Sequence, residues 1–127
     1  MENSMGYKPI SMDQHGLVDY ASGLASAVVP TLIGANKKTI RLYQMIAVQM
    51  FLYGALSKHR YALKPLIPSK THLAIDIVNL TGIAMLSCYK KIRKDKNSLT
   101  FNLALLGVGL ANVLLTDWKG KGSRSTP

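Results

Sequence analysis

The chain has 127 residues, room for one domain, and a formal charge of +10 from 16 Lys and Arg against 6 Asp and Glu. A single cysteine, Cys88, excludes an internal disulfide, and with no CxxC or Cys/His cluster it excludes a thiolate zinc site. Hydrophobic residues make up 48% of the chain, a share that fits soluble and membrane proteins alike. The basic residues punctuate apolar runs and are not interleaved with aromatics, so nucleic acid is not an expected partner.

Residues 1–14 are polar and read as an N-terminal tail without a secretory signal pattern. The first apolar run, residues 17–35, carries one charge, Asp19. At about 1.5 Å per residue it would span about 28 Å, close to the thickness of a hydrocarbon core. Pro30 lies inside it, and in a bundle the neighbouring helices can satisfy the freed carbonyl. Gly34 and Asn36 supply a turn, and residues 37–41 form a short basic link that makes the flanking helices antiparallel neighbours. The second run, residues 42–56, contains Gln44 and Gln49, expected to face other helices where an amide finds a partner.

The central link, residues 57–71, holds Pro65 and Pro68, which bar a continuous helix, and His59, expected to be solvated. Ser69 or Thr71 is the expected cap of the third run, residues 72–89, in which Cys88 reads as a small buried residue. Residues 90–96 read as a basic loop against anionic headgroups, and Asn97 or Ser98 as the cap of the fourth run, residues 99–116. Trp118 reads as an interfacial anchor, followed by a disordered basic tail over 119–127. Gly23 with Ala27, and Gly107 with Ala111, are small-x-x-x-small pairs expected to bring helix backbones together.

The two halves repeat. His15-Gly-Leu-Val-Asp19 opens the first run and His72-Leu-Ala-Ile-Asp76 the third, 57 residues later. Tyr53-Gly-Ala-Leu-Ser57 aligns loosely with Asn112-Val-Leu-Leu-Thr116, an offset of 59. The chain therefore reads as an all-α, integral membrane four-helix bundle, residues 15–118, built from two tandem two-helix repeats, 15–57 and 72–118. A unit of two crossings returns to its starting side, which predicts a pseudo-two-fold axis along the membrane normal and both His-x-x-x-Asp motifs at one membrane face. The Lys and Arg residues of the two sides number eight against eight, so the positive-inside rule sets no orientation.

Spacing of i, i+4 puts the His and Asp of each motif on one helix face. Two imidazoles and two carboxylates, His15, Asp19, His72 and Asp76, are ligand types for a divalent metal or a proton relay, with Ser22, Asn79 and Thr81 as supporting groups. The alternative is structural: a carboxylate in the first turn complements the helix dipole, and a His one turn earlier fixes the helix entry. No nucleophile elbow, phosphate loop or HExxH pattern occurs, so catalysis is not the expected role.

His15-Gly-Leu-Val-Asp19-Tyr20 with Pro30, and Ile67-Pro68 followed by His72-Leu73 and Asp76, resemble the SPW-repeat family and its relatives, small bacterial proteins with paired two-helix repeats. The resemblance covers residues 15–118. The Ser-Pro-Trp triplet is replaced by Val29-Pro30-Thr31 in the first copy, and the second copy has no proline near Met85-Leu86-Ser87. The resemblance implies a four-helix, multi-pass protein of the bacterial inner membrane and brings no established activity. The expected function is structural, accessory or scaffolding, beside anionic headgroups and with a membrane-protein partner or a second copy. The alternative is ion, proton or metal handling by the paired motifs, with a divalent metal as the candidate cofactor.

Overall fold

The computed structural model describes residues 8–119. The chain is all-helical: α1 (Met12–Leu32), α2 (Lys37–Leu56), α3 (Ser69–Leu86), the single turn α4 (Lys90–Arg93) and α5 (Lys96–Leu115), with isolated bridges but no strands among the described residues. The polar N-terminal segment is structured earlier than its sequence suggests. Ser11 caps α1 through a capping box with Gln14, and Ile10 pairs with Thr116. Of the two expected tails, residues 1–7 and 120–127 lie outside the described residues.

Several boundaries move for local reasons. Residues 37–41 are not a link but the start of α2, because the Asn36 side chain accepts from the Thr39 N–H and caps the helix there. Pro68 precedes the first residue of α3, and neither Ser69 nor Thr71 caps it. Lys96 begins α5 after Asp95, whose carboxylate accepts from the Ser98 hydroxyl, so Asn97 and Ser98 lie inside the helix. Pro30 sits in the last turn of α1, where little ladder remains to be lost.

The halves correspond closely. Both α2 and α5 have 20 residues, with starts 59 apart, while α1 and α3 start 57 apart. The bridges Ile10 to Thr116 and Ser57 to Ile67 join equivalent positions. Tyr43 and Asn102 are equivalents too, and they bond each other, the phenol donating to Asn102 Oδ1 at 2.5 Å. Reciprocal pairing of this kind marks an approximate two-fold axis between the repeats. The packing departs from it on one side: α1 lies along α2 and against α5, α3 lies against α5, but α2 and α3 scarcely touch.

Burial is inverted relative to a water-soluble protein. Among the described residues, fourteen buried side chains are polar or charged and nine, Pro30 included, are apolar, while twenty large apolar side chains are exposed. Ser26 and Asn102 are fully buried, whereas Leu32 is 75% and Val78 70% exposed. The apolar core is a small cluster of Tyr43, Ile83, Ile92 and Leu105. Gln44 and Gln49, expected to face other helices, are exposed, and so is Cys88. Of the two small-residue pairs, only the first serves close packing: a methyl on Gly23 would lie 3.3 Å from the Phe51 ring, while Gly107 faces open space. Among the described residues one helix, α5, is long and apolar enough to cross a membrane. The other long helices carry more polar groups: His15, Asp13 and Asp19 in α1, two lysines and Arg41 in α2, His72 and Asp76 in α3.

Candidate metal centre

The two His-x-x-x-Asp motifs meet between α1 and α3. His15, Asp19, His72 and Asp76 are all buried, and one ligand atom from each lies within 4.8 Å of the others. The closest contacts run between repeats. His15 Nε2 is 2.9 Å from Asp76 Oδ2 and 3.3 Å from Asp19 Oδ2. His72 Nε2 is 2.9 Å from Asp19 Oδ2 and 3.4 Å from Asp76 Oδ2. The i, i+4 spacing puts each His beside its own Asp, and the two-fold arrangement gives each the partner repeat's carboxylate at shorter range.

The surrounding groups fix these four side chains. Ser57 donates its hydroxyl proton to the Tyr53 carbonyl, and its oxygen meets His72 Nδ1. Thr116 donates to the Asn112 carbonyl, and its oxygen lies 2.7 Å from His15 Nδ1. A hydroxyl has one proton, and here a backbone carbonyl takes it. The imidazole must therefore donate, so Nδ1 of each His carries hydrogen and Nε2 faces the cluster centre. The second oxygen of each Asp is also held: Tyr53 donates to Asp76 Oδ1 at 3.1 Å, and Asn112 Nδ2 to Asp19 Oδ1 at 3.2 Å. Trp118 covers the cluster, with its ring centroid 4.6 Å from that of His15. Its indole N–H donates to the Val113 carbonyl, so an aromatic expected to anchor at an interface packs over the site.

Supporting groups named from sequence fare unevenly. Ser22 and Asn79 line a cavity beside the carboxylates, but Thr81 is exposed and bonds back to the Ile77 carbonyl. The actual supports are Tyr53, Ser57, Asn112 and Thr116, which the offset of 59 already aligned. His59, expected to be solvated, is buried: its Nε2–H donates to the Gly54 carbonyl at 2.8 Å, and its ring lies over Gly16. A methyl at Gly16 would come within 2.7 Å of that ring, so the glycine after His15 makes room for the link to fold back.

The donor set suits a first-row divalent cation. A tetrahedron with bonds of 2.0–2.1 Å has edges of about 3.3 Å; four of its six edges, the Nε2 to Oδ2 separations, run from 2.9 to 3.4 Å, and all four ligand atoms lie within 4.8 Å of one another, so the set would draw together on binding. Two carboxylates balance a divalent charge, and each imidazole has its second nitrogen bonded, as ligating histidines normally do. No family model, curated protein or solved structure matches the chain.

Proposed function

We propose that this chain is a small multi-pass membrane protein that holds one divalent cation of the zinc class between its two repeats. The observation that carries the proposal is the buried set of two imidazole Nε2 and two carboxylate Oδ2 atoms, with every remaining ring nitrogen and carboxylate oxygen already bonded. Such a complete outer layer orients ligands before the metal arrives. The inverted burial supports the membrane part: polar groups inside, large apolar side chains outside, as lipid surroundings favour. On this reading α1, α2, α3 and α5 form an integral four-helix bundle. The SPW-like motifs make the bacterial inner membrane its proposed location.

The test is elemental analysis of protein purified in mild detergent, beside the His15→Ala/His72→Ala variant. The expected result is one equivalent of metal per chain, absent from the variant. A metal-free protein whose thermal transition ignores added zinc, manganese and iron(II) overturns the proposal. A second reading has its own support, because each Nε2 already lies 2.9 Å from the other repeat's carboxylate. The cluster would then be a clasp joining the repeats of a scaffolding or accessory protein, and the same variant would lose stability with no change in metal content.

A further inference from the structure

The eight Lys and Arg of residues 37–41 and 90–96 are all exposed and gather at one end of the bundle, where α2 starts and α3 gives way to α4. Ile92 of α4 packs with Tyr43 of α2 in the apolar core, which holds the two segments together. The one acid among them, Asp95, accepts from the Ser98 hydroxyl. The other described acids, Asp13, Asp19, Asp76 and Asp117, lie toward the opposite end with the cluster. Between α2 and α3, which scarcely touch, an open groove starts at the basic end. Lys38, Arg41 and Tyr89 line its polar part, and Met45, Gly82 and Met85 its apolar part. Arg41 and Met45 also line a second stretch of groove that continues along α2 past Gln44 and Val48 to Leu52. Gly82 has open space where a side chain would stand.

We propose that this groove seats one anionic phospholipid, its phosphate on Lys38, Arg41 and the Tyr89 hydroxyl and an acyl chain lying over Met45 and Gly82. The inference rests on the membrane reading and not on the metal. Charge selects the head: eight cations against one acid favour a net negative headgroup over one that carries its own ammonium. Lys38 and Arg41 share a helix face, and a guanidinium and a phenol hydroxyl both donate to phosphate oxygens, the first in bidentate fashion. Length suits the tail: the eleven steps from Arg41 to Leu52 correspond to about 16 Å, half of a hydrocarbon core of about 30 Å. A chain anchored at Arg41 therefore ends where the opposite leaflet begins. Gln44, exposed in an apolar run, lies about 4.5 Å farther in than Arg41, at the depth of the glycerol esters, where its amide has a carbonyl to donate to. A second copy of the chain fits worse, since two chains inserted the same way would set these cations side by side.

In the test, protein in mild detergent is mixed with equal amounts of phosphatidylglycerol and phosphatidylcholine of matched chains, and intact complexes are weighed by native mass spectrometry. The expected result is one phosphatidylglycerol retained per chain in preference to phosphatidylcholine. Lys38→Gln/Arg41→Gln should weaken that binding about thirtyfold, the attraction of two charges close to an anionic head. Lys94→Gln/Lys96→Gln removes the same charge outside the groove and should cost far less. Gly82→Leu puts a side chain into the open groove and should lose the retained lipid, with the wild-type thermal transition kept. Equal retention of phosphatidylcholine, equal losses in the two double variants, indifference to Gly82→Leu, or displacement of the lipid by inorganic phosphate each overturns the inference. Resistance of the chain to extraction from membranes by alkaline carbonate scores the membrane reading separately. A chain that resists but shows no lipid preference overturns the lipid seat alone, and one that is released overturns both.

Discussion

Repeat one closes its helix pair with aromatic rings laid over glycines: Tyr20 over Gly54 and Phe51 over Gly23, the two rings stacked with centroids 6.2 Å apart. In repeat two the matching positions are Ile77, Val113, Leu110 and Leu80, and the close approach is Leu80 over Gly109. The packing of the halves has diverged. At the cluster it has not: His faces His, Asp faces Asp, Ser57 does the work of Thr116, and Tyr53 the work of Asn112. The two-fold pattern is kept where both halves must bond to a common centre and relaxed where each half packs only on itself.

The largest expected effects test the shared centre. Asp19→Asn and Asp76→Asn each leave two imidazoles facing one carboxylate, and each should destabilise the fold by about 3–5 kcal/mol, as breaking a buried pair does. Denaturant unfolding in detergent should give nearly equal losses for the two variants. A wide disparity would mean that one repeat carries the cluster alone. Double-mutant cycles sharpen the point, since coupling between His15 and Asp76 at 2.9 Å should exceed that between His15 and Asp19 at 3.3 Å. If coupling within a helix is the larger, the cross-repeat arrangement is not what holds the halves together.

Next in size are the hydroxyls. Ser57→Ala and Thr116→Val remove the acceptors that fix His72 and His15, and each should weaken metal binding by about 10–100-fold with the helices intact. Isothermal titration with zinc would measure this. Unchanged affinity in both variants would show that the rings are oriented by the carboxylates alone. Tyr53→Phe should cost less, on the order of 1 kcal/mol, because one hydrogen bond to Asp76 Oδ1 is lost and the ring stays.

Much of this arrangement could be read from the residues, and the parts that could not have physical reasons. The helices followed from apolar runs, and the cluster from two His-x-x-x-Asp motifs 57 residues apart, since a repeat with that spacing returns equivalent positions to one face. Which carboxylate each His prefers was not legible, because helix spacing describes contacts within a helix and the shorter distances cross between repeats. The alignment of Tyr53 and Ser57 with Asn112 and Thr116 was visible as a repeat but carried no chemical signal, since a tyrosine and an asparagine perform the same bond. Gln44 and Gln49 deceived for another reason. An amide in an apolar run suggests an interior partner, yet α2 and α3 part here and leave both exposed. The burial of His59 was hidden because a basic, proline-containing link gives no periodicity from which to judge its fold.

The smallest expected effect separates the ends of the two repeats. His59 and Trp118 occupy matching places, 59 residues apart, but only His59 titrates. Its Nε2–H donates to the Gly54 carbonyl and its Nδ1 accepts from the Tyr61 N–H, so the neutral ring is satisfied on both sides. Burial, the largest influence, holds its pKa below the usual 6.5, against the opposing pull of the Gly54 carbonyl. The unfolded chain therefore binds a proton at higher pH than the folded one. The neutral ring's contribution is complete above about pH 6.5 and declines as the pH falls through that value toward the folded pKa. The informative quantity is the difference between wild type and His59→Gln. Between about pH 7.5 and pH 5.5 the wild-type thermal transition should fall more steeply than that of the variant. Parallel curves would mean that proton uptake at His59 does not distinguish folded from unfolded chain, and that the two repeat ends, one titratable and one not, are equivalent in acid.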